Sequence, residues 1–227
     1  MKFAFRQLLK NPGFTVVALL TLALGIGVNT TTFTLTNALL YRLPAVSEPG
    51  RLVEIYGTMP QNATATQSPA NVRDELQQST VFEQAAPWCF QSFSMAQHGE
   101  PASRVNGLSV GGSFFSALGV APILGRTLNP SDDGPAHYDV IVVSERFWRE
   151  NLGADPKVVG GTVRVNGTAV TVVGVMPAGI QDYMSWGSVD IWQPVGYAED
   201  GWQVRNNDWL NVIARLKPGV SVAQAQA

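Results

Sequence analysis

Between Lys10 and Arg42 the chain carries no Asp, Glu, Lys or Arg, a charge-free run of 31 residues. A soluble fold rarely leaves so long a stretch without a charge, whereas a bilayer demands it. About 20 helical residues cross a hydrocarbon core of about 30 Å. Residues 14–40 number 27, or about 40 Å of helix, enough to span and still project. A cleavable signal peptide is the rival reading, because Lys2, Arg6 and Lys10 precede an apolar stretch. Its small-x-small cleavage site is missing: "NTTTFTLTN" follows instead, and then a further apolar patch, so a retained span is favoured.

Three basic residues precede the span, and Arg42 and Arg51 follow it closely. The excess of Lys and Arg places the N-terminus in the cytoplasm and the bulk of the chain outside it. Lys2, Arg6 and Lys10 recur at i, i+4 and i+8 beside Phe5, Leu8 and Leu9. That spacing predicts a short interfacial helix over residues 1–13, ended by "NPG" at 11–13. Val16, Leu20, Leu24, Val28, Phe33 and Leu39 are the expected membrane-spanning apolar residues of the segment 14–40.

Seven of the nine residues from 29 to 37 are polar yet uncharged. Threonine hydroxyls can bond back to the preceding turn, so helix survives there. Lipid gains nothing from them. Gly25, Gly27, Thr31, Thr32 and Thr34 therefore form a candidate helix–helix contact, small residues that let another helix approach closely. The same half could instead leave the membrane and be wet, and both readings stay open at successive turns.

From Arg42 onward lie 186 residues, the size of one ordinary domain or two small lobes. Twelve basic residues face all seventeen acidic ones there, a balance that disfavours nucleic acid as a partner. The single cysteine, Cys89, excludes an internal disulfide framework and reads as a small buried hydrophobe. Residues 52–58 read as a strand, and Ser68-Pro69 as the cap and first turn of a helix. Residues 90–97 and 102–110 read as paired strands, 138–143 as an apolar strand, and Ser144 as the cap of "ERFWREN" with Phe147 and Trp148 as anchors. Asn166-Gly167 marks a hairpin between 162–165 and 168–173. Residues 209–216 read as a last strand. The mixed order points to an α+β domain, with room for a split βαβ lobe and a second small lobe. Ser221 and Gln224 then form a capping box only six residues before the end, so the domain, 41–227, is expected to be truncated inside an element.

Chemistry-bearing motifs are sparse. No G-x-x-x-x-G-K-[ST] loop occurs, so no ATP site is expected in this chain. "GLSVGGSFF" lacks the phosphate-binding lysine and reads as a turn before a helix. "SDDGPAHYD" gathers Asp132, Asp133, His137 and Asp139, but its spacing fits no calcium loop and reads as an acidic solvated turn. With no G-x-S-x-G elbow and no histidine near Cys89, no catalytic residue, metal ligand or cofactor ligand is assigned. Trp186, Trp192 and Trp202, with Trp209, lie in a Gly-rich, loop-like stretch, and the first three are taken as a candidate partner surface.

Three runs, "VVALLTLALGIGVNTTTFTLTNALLYRLPAVSEPGRLVEIY", "VIVVSERFWRENLGADPKVVGGTVRVNGTAVTVVGVMPAGI" and "ARLKPGVSVAQAQA", carry a family resemblance in this order. They resemble the first membrane helix and periplasmic core of MacB-like ABC transporter permeases, nearest the acidobacterial duplicated orphan permease group and more distantly FtsX. The resemblance implies a non-enzymatic permease subunit of the bacterial inner membrane, coupling a partner ATPase to an extracytoplasmic domain. ATP is expected only in that ATPase subunit, and a second permease copy is the expected neighbour of the Thr/Asn belt. Family members carry further membrane helices after the core, so a fragment ending here is not expected to transport alone. A singly anchored extracytoplasmic binding or scaffold domain is the alternative. A secreted enzyme is a third reading, and it requires signal cleavage near residue 30.

Overall fold

The computed structural model describes residues 12–40, 46–59, 62–96, 101–134, 138–180, 187–196 and 203–226. The chain divides after Leu43 into two compact units. The first is helix α1, Pro12–Leu40, 29 residues long and about 43 Å from end to end. Proline opens it without loss, because a first-turn N–H has no intrahelical acceptor. Thr21 Oγ1 donates to the Val17 carbonyl and Thr31 Oγ1 to that of Gly27, both at 2.8 Å. Those hydroxyls are thus satisfied within the helix's own preceding turn. Val16, Leu20, Leu24, Val28 and Phe33 are between 54% and 71% exposed. Leu39 and Thr34 lie within α1. Residues 1–11, where the interfacial helix is expected, fall outside the described residues.

The second unit begins with a 3-10 turn, Pro49–Arg51, and strand β1, Leu52–Ile55. A small ribbon of β2, Gly57–Met59, and β3, Asn62–Ala65, follows. Helix α2, Pro69–Gln78, is capped by Ser68, whose Oγ accepts from the Asn71 N–H. Strand β4, Phe82–Ala96, and β5, Ser103–Val110, precede the short helix α3, Phe114–Leu118. Then come β6, Leu124–Gly125, β7, Val140–Ser144, and helix α4, Glu145–Asn151, whose cap Ser144 accepts from the Phe147 N–H. Strands β8, Thr162–Val165, and β9, Thr168–Met176, form the expected hairpin. Asn166 at φ 50° and Gly167 at φ 81° supply the two left-handed residues that such a two-residue turn requires. Strands β10, Ile191–Pro194, and β11, Asn211–Leu216, and the short helix α5, Val222–Ala225, complete the chain.

Among the described residues nine strands form one mixed sheet in the order β1-β11-β4-β5-β10-β7-β9-β6, and β8 pairs with both β4 and β9. The last pairing closes a circuit: β4, β5, β10, β7, β9 and β8 each hydrogen-bond to the next, and β8 returns to β4. The β8–β9 turn extends this closure, since Asn166 N–H donates to the Ser94 carbonyl at 2.7 Å and Asn166 Oδ1 accepts from the Ser94 N–H at 2.9 Å. Strands β7 and β9 are parallel and adjacent, with α4 between them in sequence. The β7–α4–β9 unit is thus unsplit, whereas β1 and β4, joined through α2, run parallel with β11 antiparallel between them, the expected split βαβ arrangement.

Register puts Phe93 and Met95 of β4, Val105 of β5, Ile191 of β10, Ile141 and Val143 of β7, and Val172 of β9 on one face of this circuit. They form one buried cluster with Phe147 and Trp148 of α4. The opposite face buries Leu108, Val110, Val142 and Trp192 against Phe114, Phe115 and Leu118 of α3. Packing between strands is tight: a Cβ on Gly107 would meet the Ile191 carbonyl oxygen at 2.5 Å and a Phe93 ring carbon at 2.7 Å.

Candidate functional site

Two features stand out on this scaffold, a clamp on the segment that leads into the domain and a polar cavity on the circuit's inner face. The clamp is built on Arg215. It lies in β11 opposite Leu52 of β1 and is only 5% exposed. Its Nε donates to the Ala117 carbonyl at 2.7 Å and its Nη2 to the Ser47 carbonyl at 2.6 Å. The first acceptor belongs to the last turn of α3, where unpaired carbonyls favour a cation. Ser47 is bound a second time, its N–H donating to the Leu118 carbonyl at 3.1 Å and its Oγ to that of Gly119 at 2.9 Å. Arg51 adds a parallel tie, donating to the Leu216 carbonyl and pairing with the carboxylates of Glu48 and Glu83. Residues 47–51 are thereby fastened to β11 and to the end of α3. Strands β1 and β11 are antiparallel neighbours.

The second feature follows from alternation along the inner face. Toward one end of the circuit the apolar rows give way to Gln91 of β4, Ser109 of β5 and Gln193 of β10. These line a cavity of about 500 Å³, closed on the far side by Val165, Asn166 and Thr168 of the β8–β9 hairpin and flanked by Tyr138 and Trp209. None of its lining residues is charged. Ser109 Oγ donates to Gln91 Oε1 at 2.6 Å, and Gln193 Nε2 donates to the Tyr138 carbonyl at 2.8 Å. Cys89 lies beside Ser109 across the β4–β5 ladder. Burial pushes its thiol up to about 11, although hydrogen bonds from Ser109 oppose this. Such a thiol is inert at neutral pH, in keeping with a packing role.

The structure corrects two expectations from the sequence. Trp192 cannot form a partner surface: it is 0% exposed, and its ring meets Phe115 edge-on at 5.6 Å. It occupies a strand between β5 and β7 rather than a loop. Trp186 and Trp202 lie outside the described residues. Trp209, the remaining tryptophan of that stretch, does reach the cavity. The acidic turn is not simply solvated either. Asp132 is buried, pairs through both oxygens with Arg126 at 2.7 and 2.9 Å, and accepts from the Asn129 N–H in a capping box. Asp133 accepts from the Gly112 N–H. Among the described residues no group of three His, Cys, Asp or Glu side chains could hold a metal ion. The Gln91, Ser109 and Gln193 cluster is invisible in the sequence, because no two of these residues are close in the chain. Gly25, Gly27, Thr31 and Thr32 are exposed along α1, and a Cβ on either glycine would meet nothing within 4 Å.

The model of the MacB-like periplasmic core domain family matches residues 15–227. The chain belongs to this family. Solved structures carry the same fold. The periplasmic region of MacB from Actinobacillus actinomycetemcomitans aligns with a TM-score of 0.57 at 16% identity, over 83% of this chain and 84% of that one. A domain of a protein assigned as a permease from Porphyromonas gingivalis gives 0.57 at 18%, over 78% and 77%. The extracellular domain of the ABC-type transporter YknZ from Gram-positive bacteria gives 0.52 at 14%, over 77% and 87%. No curated protein matches the chain in sequence. The MacB-like domain is thus a mixed α+β domain preceded by one apolar helix, of which residues Pro12–Phe33 are long and apolar enough to cross a membrane.

Proposed function

We propose that this chain belongs to an ABC-type permease subunit that passes the motion of a partner ATPase to its extracytoplasmic MacB-like domain. The observation that carries this function is the sequence of parts: a charge-free apolar helix, then a segment bound by Arg215 and Arg51 to the end of β11. A rod is useful as a lever only if the segment it pulls on is held, and the buried guanidinium of Arg215 holds Ser47 within the domain. In this scheme α1 spans the inner membrane with its N-terminus in the cytoplasm, and ATP is bound only by the partner ATPase. A second permease copy contacts the small residues of α1, Gly25 and Gly27 on its two faces and the threonines beyond them. Thr31 contributes there as an acceptor, since its proton is committed to Gly27. The chain itself performs no catalysis.

The test is nucleotide-linked crosslinking between copies. With Cys89→Ser as background, Thr32→Cys is oxidised in membrane vesicles from the native host. A crosslink yield that differs between nucleotide-free vesicles and vesicles trapped with ATP and vanadate is the expected result. Equal yields in both states would overturn the coupling.

A further inference from the structure

We infer that the cavity on the inner face of the six-strand circuit is a binding site for a neutral saccharide of one or two rings. Its volume, about 500 Å³, falls within the roughly 300–1,000 Å³ of small-ligand sites, which favour the mouths of β-barrels. The hydrogen-bonding inventory narrows the ligand. Gln193 is 6% exposed, and its amide spends only Nε2, on the Tyr138 carbonyl. Its Oε1 is an acceptor with no partner among the described residues. Gln91 accepts from Ser109 through Oε1, which leaves its Nε2 as an unused donor. A ligand that meets both must donate and accept, as a hydroxyl does with a single group.

Charge and shape exclude the main competitors. Among the described residues no charged side chain lines the cavity, so an ionised ligand would lose its hydration there without a countercharge. Val165, Val195 and the rings of Tyr138 and Trp209 are apolar, but an acyl chain would strip water from Gln91, Ser109 and Gln193 without replacing its hydrogen bonds. An extended peptide normally adds to an exposed strand edge, but β4, β5 and β10 each already have a strand on both sides. A sugar ring combines a rim of hydroxyls with an apolar C–H face. Gln91, Ser109, Gln193 and Asn166 suit the first, and the rings of Trp209 and Tyr138 suit the second.

The site belongs to the MacB-like domain alone, so its test is independent of nucleotide-linked crosslinking. The full chain in lipid nanodiscs, free of glycosidic detergent, is titrated with maltose, cellobiose and the disaccharide of N-acetylglucosamine. Binding is read by tryptophan fluorescence and calorimetry. At least one sugar should bind saturably with Kd of about 1 mM or tighter, and Gln193→Met and Gln91→Ala should each weaken it about tenfold. Phe90→Ala, on the opposite face of β4, should leave binding unchanged. If Gln193→Met fails to fold, the exposed Gln91→Ala decides. No saturable binding of any of the three sugars up to about 50 mM would overturn the inference. Binding that survives Gln91→Ala would do so as well, as would binding of a neutral tetrapeptide in place of the sugars.

Discussion

Arg215 concentrates more consequence in one side chain than any other residue of the domain. Replacing it with Met removes two donors and leaves the Ala117 and Ser47 carbonyls without their partner. Denatured-state water satisfies those groups and the folded interior does not, so the expected loss is about 2–4 kcal/mol in urea unfolding. Arg215→Lys should recover only part of it, because one ammonium cannot reproduce a planar fork aimed at two carbonyls. Glu48→Gln should cost under about 1 kcal/mol, since the carboxylate is 62% exposed and 3.7 Å from the guanidinium. A Glu48→Gln effect as large as that of Arg215→Met would show that the ion pair, and not the carbonyl contacts, holds the joint. None of this could be read from "IARLKPG". Its alternation marks a strand, but the acceptors of Arg215 lie 98 and 168 residues away in sequence. Trp192 failed for the same reason: glycines nearby made its setting look like a loop, and only the neighbouring strands bury it.

At the scale of elements, what was legible in the sequence was what neighbouring residues decide. Ser68, Ser144 and Ser221 cap helices and Asn166-Gly167 turns a hairpin, as their local chemistry requires. The first half of β4 was missed because "FEQAAPWC" has neither alternation nor β-branched residues, and it becomes a strand through pairing with β11. Strand β10 was missed because all four of its residues are buried, which erases the period of two. Closure of the circuit depends on the Asn166 turn. Asn166→Ala should therefore destabilise by about 1–2 kcal/mol, from strain at positive φ and the lost bond to the Ser94 N–H, measured by thermal unfolding. A second element-level tie titrates. Arg205 and then Arg73, by hydrogen bonding, hold the Asp74 carboxyl below its ordinary value. A folded value below the unfolded one stabilises above the unfolded pKa, and that contribution fades as pH falls through the lowered value. The tie joins α2 to the segment whose Val204 carbonyl accepts from the Ala70 N–H. Protection of Ala70 in hydrogen exchange, corrected for intrinsic rate, should persist at mildly acidic pH and drop only in strong acid. Asp74→Asn should reproduce the drop at neutral pH. Unchanged protection in Asp74→Asn would mean that the carboxylate holds nothing.

For the molecule as a whole, the decisive quantity is the length of α1 against the thickness of a bilayer. Its 29 residues extend about 43 Å, which exceeds a hydrocarbon core of about 30 Å by roughly nine residues. If the apolar end starting near Phe14 is immersed first, about 20 residues reach Phe33 and the excess, 34–40, begins within the threonine and asparagine belt of 29–37. Neutral polar residues there cost nothing in the headgroup layer. The apolar half has no such latitude: Leu20, Leu24 and Val28 are exposed along α1. Single cysteines placed along α1 in the Cys89→Ser background should therefore divide by depth. Leu24→Cys should stay silent to a membrane-impermeant maleimide, and Thr36→Cys should react from the extracytoplasmic side. A second copy packed on the belt would slow Thr36→Cys without exposing Leu24→Cys, so the pair of rates separates a wet belt from a covered one. Equal, rapid labelling at both positions would place the whole helix in water and remove the lever on which coupling depends.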